Sequence, residues 1–284
     1  MNNSNVVIQK KISVLIVLSQ LEIGGLELQV LELCKGINKE LFKVYVCSIW
    51  PRMSLAKEFL AAGVKILSIH RQKKIDLSFF FKLKNFLIEE KIDIVHTWIF
   101  TANTWGRIAG IIAKTPVIIG SERSLNKYKP AVYNLVDYLL ALFSDKVIGN
   151  SMAVKNYMLN QQRIPKNKST VIYNGVDNAR FETAKIKKET AKKKFFLPLS
   201  KIIVGTVANF TKSKDYPNFL NSAALVLDKY SNTHFVVCGS GSFELETKKI
   251  AEELGIDKNI TFLGKQTDVS EVLATFDIFV LASI

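Results

Sequence analysis

The chain has 284 residues, of which 48% are hydrophobic and 23% charged, a balance typical of a folded globular protein and incompatible with extensive disorder. Its formal net charge of +14 predicts attraction to phosphate-bearing molecules or anionic lipid, but no aromatic and basic strand platform accompanies it, so nucleic-acid binding is not expected. Cys34, Cys47 and Cys238 lie far apart without a C-x-x-C pair, which argues against a disulfide framework or a zinc site and favours a reducing cytoplasm.

The first apolar run, residues 12–18, follows two lysines and has some features of a signal peptide. It is short and leads into Gly24 and Gly25 without a small-residue cleavage site, so a first buried strand is the better interpretation. The longest apolar stretch, residues 132–143, contains two polar residues and is too short to cross a bilayer. We therefore expect a cytoplasmic protein.

Short apolar runs alternate with stretches of helical spacing through the first 180 residues, a pattern typical of parallel strands buried on both faces. The runs predict strands at 12–18, 44–49, 66–69, 92–96, 117–120, 147–150 and 171–173, and the intervening stretches predict helices near 25–38, 54–62, 77–90, 101–112, 130–144 and 151–161. Seven strands alternating with six helices make a complete α/β layer, so residues 1–180 are predicted to form one domain.

The composition then becomes rich in lysine, and residues 181–200 are predicted to form a basic linker with one short helix. A second series occupies residues 201–284, with strands predicted at 202–208, 235–238, 260–263 and 278–281 and helices near 216–230, 243–254 and 268–275. The predicted fold class is α/β, with two Rossmann-like, doubly wound parallel-sheet domains, of which the second is incomplete.

Two segments concentrate the positive charge. Residues 176–201 hold eight basic residues, and residues 71–91 hold six among many Phe and Leu residues. Both fit solvated helix faces of a lysine-rich protein, whereas 71–91 also fits a basic amphipathic surface in peripheral contact with the inner face of an anionic membrane.

Glycines at predicted strand ends are the main candidates for ligand contacts. Gly24 and Gly25 precede a helix, and a glycine turn there exposes backbone N–H groups to an anion, although such pairs are as often tight packing turns. Gly239 and Gly241 repeat the device in the second series. The dinucleotide fingerprint G-x-G-x-x-G is absent, which disfavours a nicotinamide-dependent oxidoreductase.

Two further turns follow predicted strands. Asn150 and Ser151 are predicted to end a strand and cap the next helix. Asn174 and Gly175 are predicted to supply positive backbone angles within the segment from Tyr173 to Asp177, which also fits a purely structural corner.

Taken in order, these pieces resemble the retaining glycosyltransferases of family 4, also described as glycosyl transferases group 1, which have the two-domain GT-B fold. The resemblance covers nearly the whole chain. In the first half it rests on Gly24-Gly25-Leu26-Glu27, Asp93-Ile94-Val95-His96, Gly120-Ser121-Glu122-Arg123, Asn150-Ser151 and Tyr173-Asn174-Gly175-Val176-Asp177. In the second half it rests on Gly205 to Asn209, Lys214-Asp215, Gly239-Ser240-Gly241, Phe262-Leu263-Gly264 and Asp277 to Ser283.

The resemblance implies that a nucleotide diphosphate sugar binds to the second domain and that a glycan or lipid-linked acceptor binds mainly to the first. Negative charge develops on the departing diphosphate, so fixed cations and helix N-termini aimed there lower the barrier. The family uses an Arg and a Lys without an obligatory metal, and no cofactor is implied. Lys214 matches the lysine, whereas Asn209 stands in place of the arginine and Lys212 is the nearby cation.

The resemblance also assigns the remaining candidates. His96 would face the transferred sugar as a catalytic residue, although a single His in an apolar setting is usually structural. The donor-binding candidates are Gly24, Gly25, Asn209, Lys212, Lys214, Gly239, Gly241, Gly264 and Ser283. Glu122 and Arg123 would lie on the acceptor side, or pair with each other as an ordinary salt bridge. Asp268 fits the nucleotide base region and a plain helix cap equally well.

Family members continue past the position of Ser283 into an acidic Glu motif, two further strands and a final helix. We therefore expect a C-terminally truncated chain whose second sheet has an unpaired strand edge. The expected function is hexosyl transfer in the synthesis of a surface polysaccharide, lipopolysaccharide or glycolipid, weak or absent in this chain alone. The alternative is a non-catalytic remnant with a folded acceptor-side domain.

Overall fold

The computed structural model describes residues 10–67, 69–73, 76–125, 130–178, 181, 188–266 and 268–284. The chain divides into two compact units, Met1–Gly175 and Val176–Ile284. Each unit contains a parallel β-sheet with helices on both faces, as the sequence predicts.

The first unit contains a seven-stranded sheet in the order β3-β2-β1-β4-β5-β6-β7. Its strands are β1 (Ile12–Leu18), β2 (Phe42–Ser48), β3 (Lys65–Leu67), β4 (Ile94–Trp98), β5 (Val117–Glu122), β6 (Lys146–Gly149) and β7 (Ser169–Val171). Its helices are α1 (Gly25–Gly36), α2 (Ala56–Ala61), α3 (Leu77–Glu89), α4 (Ile99–Ile112), α5 (Ala131–Leu142) and α6 (Met152–Asn160).

Strand β1 lies in the middle of this sheet and is buried on both faces, which explains why all its residues except Ser13 are apolar. Val14, Ile16 and Leu18 pack with buried residues of α1 and α2. The alternate residues Leu15 and Val17 pack on the opposite face with buried residues of α3 and α4. The order of strands reverses direction between β1 and β4, and ligands of doubly wound sheets bind at such a point, outside the carboxyl ends of the strands.

The second unit contains a four-stranded parallel sheet in the order β10-β9-β8-β11. Its strands are β8 (Ile202–Val207), β9 (Thr233–Cys238), β10 (Ile260–Gly264) and β11 (Ile278–Phe279). Its helices are α7 (Lys188–Lys194), α8 (Tyr216–Lys229), α9 (Glu244–Glu253) and α10 (Ser270–Thr275), with short 3₁₀ turns at Lys212–Lys214 and Asp257–Asn259.

Residues 188–200, predicted as the end of a linker, pack on the second unit. Leu197 is buried beside Ile203 and Val236, and Lys188 forms an ion pair with Asp277. Buried Lys192 donates to the backbone oxygen of Lys201 at 2.8 Å. Residues 182–187 of the predicted linker lie outside the described residues. The predicted boundaries at residues 180 and 200 stay a prediction.

Several predicted strands differ from their observed bounds at one or both ends, and β4 and β7 show the cause. Strand β4 begins and ends two residues later than predicted, because its pairing with β5 runs from Ile94 to Trp98. Strand β7 ends at Val171, whereas the predicted strand begins there. The observed strand ends at this residue because Val171 pairs with Gly149, the last residue of β6. The pairing partner therefore decides the bounds within an apolar run.

The turn prediction at Asn174 and Gly175 was wrong in its geometry, since neither residue has a positive φ angle. The side chain of Gln29 instead anchors this turn to α1, donating to the Gly175 oxygen at 2.7 Å and accepting from its N–H at 3.0 Å. The predicted cap at Ser151 is confirmed, because its hydroxyl accepts a hydrogen bond from the Val154 N–H.

The basic segment 71–91 is partly buried and partly exposed. Helix α3 buries Phe79, Leu83 and Leu87 against the sheet, and Arg71 is also buried, whereas Phe81 is exposed. Lys74 lies outside the described residues. Membrane contact stays a prediction. Among the described residues, no helix combines the length and apolar character needed to cross a bilayer.

Candidate functional site

His96, Trp98, Ser121 and Arg123 line one cavity, which extends along the α1 face of the first sheet to the carboxyl ends of β4 and β5. The cavity has a volume of about 490 Å³, and most of its other lining residues are aliphatic, contributed by the sheet and by α1. His96 and Ser121 meet because β4 and β5 are parallel neighbours. The His96 Nε2 atom lies 2.8 Å from the Ser121 Oγ atom.

The surroundings of His96 favour its neutral form. Burial removes hydration from the imidazolium and, together with the nearby positive charge of Arg123, lowers the pKa of His96 to about 3. The ring also lies against the indole of Trp98, with 4.7 Å between the ring centroids. A neutral imidazole that shares one nitrogen with Ser121 can offer its other nitrogen to a ligand as a hydrogen-bonding group.

The backbone next to this cavity is strained. Ile99, directly after β4, has a φ angle of +62°. A β-branched side chain is an outlier in the left-handed region, and such outliers concentrate at functional sites. The left-handed conformation of Ile99 turns the chain directly from strand β4 into helix α4.

Glu122 and Arg123 point in different directions, so they do not pair with each other as the simpler interpretation predicts. The guanidinium carbon of Arg123 lies 4.6 Å from the Trp98 ring centroid, and the side chain donates to the Asn174 amide oxygen. Glu122 is buried and accepts a hydrogen bond from Asn103 at 2.9 Å. The structure therefore brings Arg123, but not Glu122, into the cavity with His96.

The glycines before α1 occupy the predicted position, with Gly24 as the N-cap and Gly25 as the first helical residue. A Cβ atom on Gly24 would lie 2.5 Å from a carboxylate oxygen of Glu27, whose side chain is buried in the first helical turn. A carboxylate is stabilised at a helix N-terminus by the free N–H groups and the helix dipole. Part of this anion-binding position is therefore taken by Glu27.

In the second unit, the structure brings Lys214 and Ser283 together. The Lys214 Nζ atom lies 3.3 Å from the Ser283 Oγ atom, and the Ile284 N–H donates to the Ser213 oxygen at 3.1 Å. Both segments follow the carboxyl ends of neighbouring strands, β8 and β11. Lys214 forms no ion pair with an acid among the described residues, so its charge is available to an anion.

Gly239 and Gly241 hold their loop tightly against the loop that follows β8. Their φ angles are +153° and +158°, and a Cβ atom on either would lie 2.0 or 2.4 Å from a backbone oxygen of that neighbouring loop. The Gly239 N–H donates to the Gly264 oxygen at 2.9 Å, so this amide is not free to bind an anion. The main role of this glycine turn is therefore close packing of two loops.

The remaining donor-binding candidates lie at the same edge of the second sheet. Asn209 and Lys212 are exposed in the loop after β8, and Gly264 ends β10 with a φ angle of +65°. Asp268 accepts from the N–H of Ser270 at 2.9 Å, at the start of α10. Within the described parts of the chain, no group of three or more His, Cys, Asp or Glu side chains is placed to hold a metal ion.

Sequence reasoning missed the polar network behind the first cavity. Asn103 accepts a hydrogen bond from Thr97 at 2.7 Å and donates to the backbone oxygen of Ser121 at 3.1 Å. Arg107 pairs with Asp137 at 2.9 Å, with both side chains almost completely buried. The available signal was the presence of Asn103, Arg107 and Asp137 within helices that are otherwise largely apolar.

Comparisons with known proteins agree with this architecture. The chain is 28% identical to the capsular polysaccharide biosynthesis glycosyltransferase CapH of Staphylococcus aureus, over 96% of this chain and 75% of that protein. It is 25% identical to the UDP-Gal:alpha-D-GlcNAc-diphosphoundecaprenol alpha-1,3-galactosyltransferase of Escherichia coli, over 74% of this chain but only 56% of that protein. The chain thus spans between about half and three quarters of these two relatives.

A solved structure has the same fold. The crystal structure of Anabaena Alr3699/HepE in complex with UDP-glucose superimposes with a TM-score of 0.84 at 18% identity, over 95% of this chain and 74% of that one. The model of Glycosyltransferase Family 4 matches residues 23–180, and that of Glycosyl transferases group 1 matches residues 187–284. The chain therefore belongs to Glycosyltransferase Family 4 and is a glycosyltransferase with the GT-B fold.

Proposed function

We propose that the chain transfers a sugar from a nucleotide diphosphate sugar to a hydroxyl group of a glycan or lipid-linked acceptor in surface polysaccharide synthesis. The single observation that carries the proposal is that Lys214, which forms no ion pair with an acid among the described residues, is held beside Ser283 at the carboxyl edge of the second sheet. A cation at this edge can bind the diphosphate of a donor. The donor is proposed to bind to the second unit, and the acceptor to the first.

The reaction breaks the bond between the anomeric carbon of the sugar and the diphosphate oxygen, and joins that carbon to the acceptor oxygen. As the new bond forms, the acceptor hydroxyl gives its proton to an oxygen of the departing diphosphate, which also keeps both electrons of the broken bond. Lys214 would offset this charge, with Lys212 as a second cation in place of a bidentate arginine. His96, held neutral, would accept or donate a hydrogen bond at the transferred sugar.

The names of the relatives support the proposed product class. One relative is named as a glycosyltransferase of capsular polysaccharide biosynthesis, and the other as a galactosyltransferase acting on alpha-D-GlcNAc-diphosphoundecaprenol. The HepE structure holds UDP-glucose, which supports a uridine diphosphate sugar as the donor. Retention of the anomeric configuration and weak transfer by this chain alone stay predictions.

Incubation of the purified chain with a panel of uridine and guanosine diphosphate sugars tests the proposal. Release of the nucleoside diphosphate is measured, and the configuration of any product is read by NMR from the coupling constant of the anomeric proton. We expect at least one donor to bind, with at most slow release of the nucleoside diphosphate, and we expect any transfer product to retain the anomeric configuration. Failure of every donor to bind would instead support a non-catalytic module.

A further inference from the structure

A second, strongly basic pocket lies at the carboxyl edge of the first sheet, apart from the cavity that contains His96. It has a volume of about 690 Å³ and is lined by residues that follow β2 and β3, including Trp50, His70, Arg71 and Gln72, and by Lys82 of helix α3. Among the described residues, its lining includes no acid. The pocket therefore presents positive charge at the edge where ligands of such sheets bind.

Arg71 is fixed in this pocket by two aromatic rings. Its guanidinium carbon lies 5.1 Å from the Trp50 ring centroid and 4.9 Å from that of Trp105, and its Nε atom donates to the Lys73 backbone oxygen at 2.8 Å. The backbone is held as well, because the Arg71 N–H donates to the Ile49 oxygen at 2.7 Å. The planar guanidinium is thus preorganised before any ligand arrives.

Within the described part of the chain, no acid lies within ion-pair distance of Arg71. Burial lowers the pKa of Arg71, and the negative charge of Asp76 partly compensates for that cost. Asp76 itself accepts the backbone N–H groups of Gln72 and Phe79, and Arg71 forms no ion pair among the described residues. A buried cation is expensive unless it is paired, and stacking on indole rings offsets only part of that cost.

We propose that this pocket binds a phosphate-bearing group, with the guanidinium of Arg71 and the ammonium of Lys82 as its two charged donors. The terminal nitrogens of an arginine suit phosphate oxygens in a bidentate geometry, and Lys82 adds a point charge from an exposed helix face. The assignment of that group to the acceptor rests on the proposed function. The proposal that the pocket binds phosphate does not depend on the proposed function.

Tryptophan fluorescence provides a local test. The chain has three tryptophans, and in a Trp98→Phe background only Trp50 and Trp105 remain, both beside Arg71. Titration of the full chain with inorganic pyrophosphate should give a saturable change in emission. Lys82→Glu should weaken the apparent affinity roughly tenfold or more, because a charge-assisted contact is lost and a repulsive charge is added.

Lys84→Glu is the matched control, since it makes the same charge change on the same helix outside the pocket. The affinity of Lys84→Glu for pyrophosphate should stay within about twofold of the unmutated value. This result would show that the position of the charge, and not the net charge of the chain, determines binding. Arg71→Lys, which keeps the charge but loses the bidentate geometry, should also weaken binding. Lys82 is exposed, so its variant tests the proposal even if changes at Arg71 impair folding.

The source of the phosphate is distinguished with vesicles. Cosedimentation with phosphatidylcholine vesicles containing phosphatidic acid, lost in Lys82→Glu and kept in Lys84→Glu, would indicate a lipid phosphate. Binding of pyrophosphate alone would indicate a soluble phosphate ligand. The absence of a saturable emission change, or equal losses in both lysine variants, would overturn the proposal. Because the titration measures binding alone, its outcome is independent of sugar transfer.

Discussion

At His96, burial makes the free energy of unfolding depend on pH. The pKa of His96 is about 3 in the folded chain and about 6.5 when the ring is exposed, so between these values only the unfolded chain binds the proton. Stability is therefore complete above pH 6.5 and falls as the pH falls towards 3, by at most about 1.4 kcal/mol per pH unit.

Urea unfolding of the wild type and His96→Asn between pH 7 and 5 tests this expectation. The wild type should lose more stability than the variant over that range. His234, whose pKa burial lowers to about 4, contributes the same sign to both proteins and cancels in the difference. Parallel pH profiles would show that His96 takes up its proton equally in both states.

Replacement of Gly241 is predicted to be costly because of a backbone clash in addition to its positive φ angle. In Gly241→Ala, the new Cβ would lie 2.4 Å from the Phe210 oxygen, so the variant should lose roughly 3 kcal/mol of unfolding free energy. Gly255→Ala is the control, because Gly255 has a φ angle of +67° but open space around it and should cost about 1 kcal/mol. Equal losses in chemical denaturation would contradict the steric explanation.

Single residues were predictable where chemistry is local. The sequence predicts Lys214 and Ser283 for the same donor site. The structure brings the two side chains into contact, which the sequence does not predict. The position of Arg71 was predicted wrongly as part of a basic surface, because stacking between Trp50 and Trp105 depends on which elements become neighbours. Glu122 and Arg123, adjacent in sequence, separate where β5 ends, because Glu122 contacts Asn103 of α4 and Arg123 lies against Trp98.

At the scale of elements, helix α4 connects the sheet to helix α5 through the buried ion pair of Arg107 and Asp137. Gln162 donates to the other carboxylate oxygen of Asp137 at 3.0 Å. Asp137→Leu should lower the free energy of unfolding by about 3–5 kcal/mol, because it removes the ion-pair partner of buried Arg107 and leaves its charge the smaller electrostatic interaction with Glu122.

The double variant Arg107→Met, Asp137→Leu should recover much of that loss, since replacement of both charges by apolar groups removes the uncompensated charge. Chemical denaturation of the two single variants and the double variant gives the coupling energy. Additive losses would show that the two side chains stabilise the chain independently.

The elements themselves followed from apolar periodicity, because parallel strands buried on both faces have uniformly apolar sequences. Strand β1 was predicted with its observed bounds for this reason. Strands β4 and β7 were displaced because the end of a ladder depends on the neighbouring strand. The turn at Gly175 could not be derived locally, since its anchor is the side chain of Gln29 in a distant helix.

At the scale of the whole molecule, both units follow one plan, with cations and glycine loops at the carboxyl edge of a parallel sheet. Alternation of strands and helices predicts that plan, and the order of the motifs predicts the family. The cavity around His96 and the pocket around Arg71 could not be predicted, because their walls come from helices and strand ends far apart in sequence.

The central claim is that Lys214 binds the diphosphate of a nucleotide sugar. Calorimetric titration with UDP should give an affinity that Lys214→Ala lowers about tenfold to a hundredfold, because a charge-assisted contact to phosphate is lost. Lys258→Ala, at an exposed 3₁₀ turn before β10 and thus at the opposite edge of the same sheet, should leave the affinity unchanged. Equal affinities of the wild type and Lys214→Ala would contradict the claim.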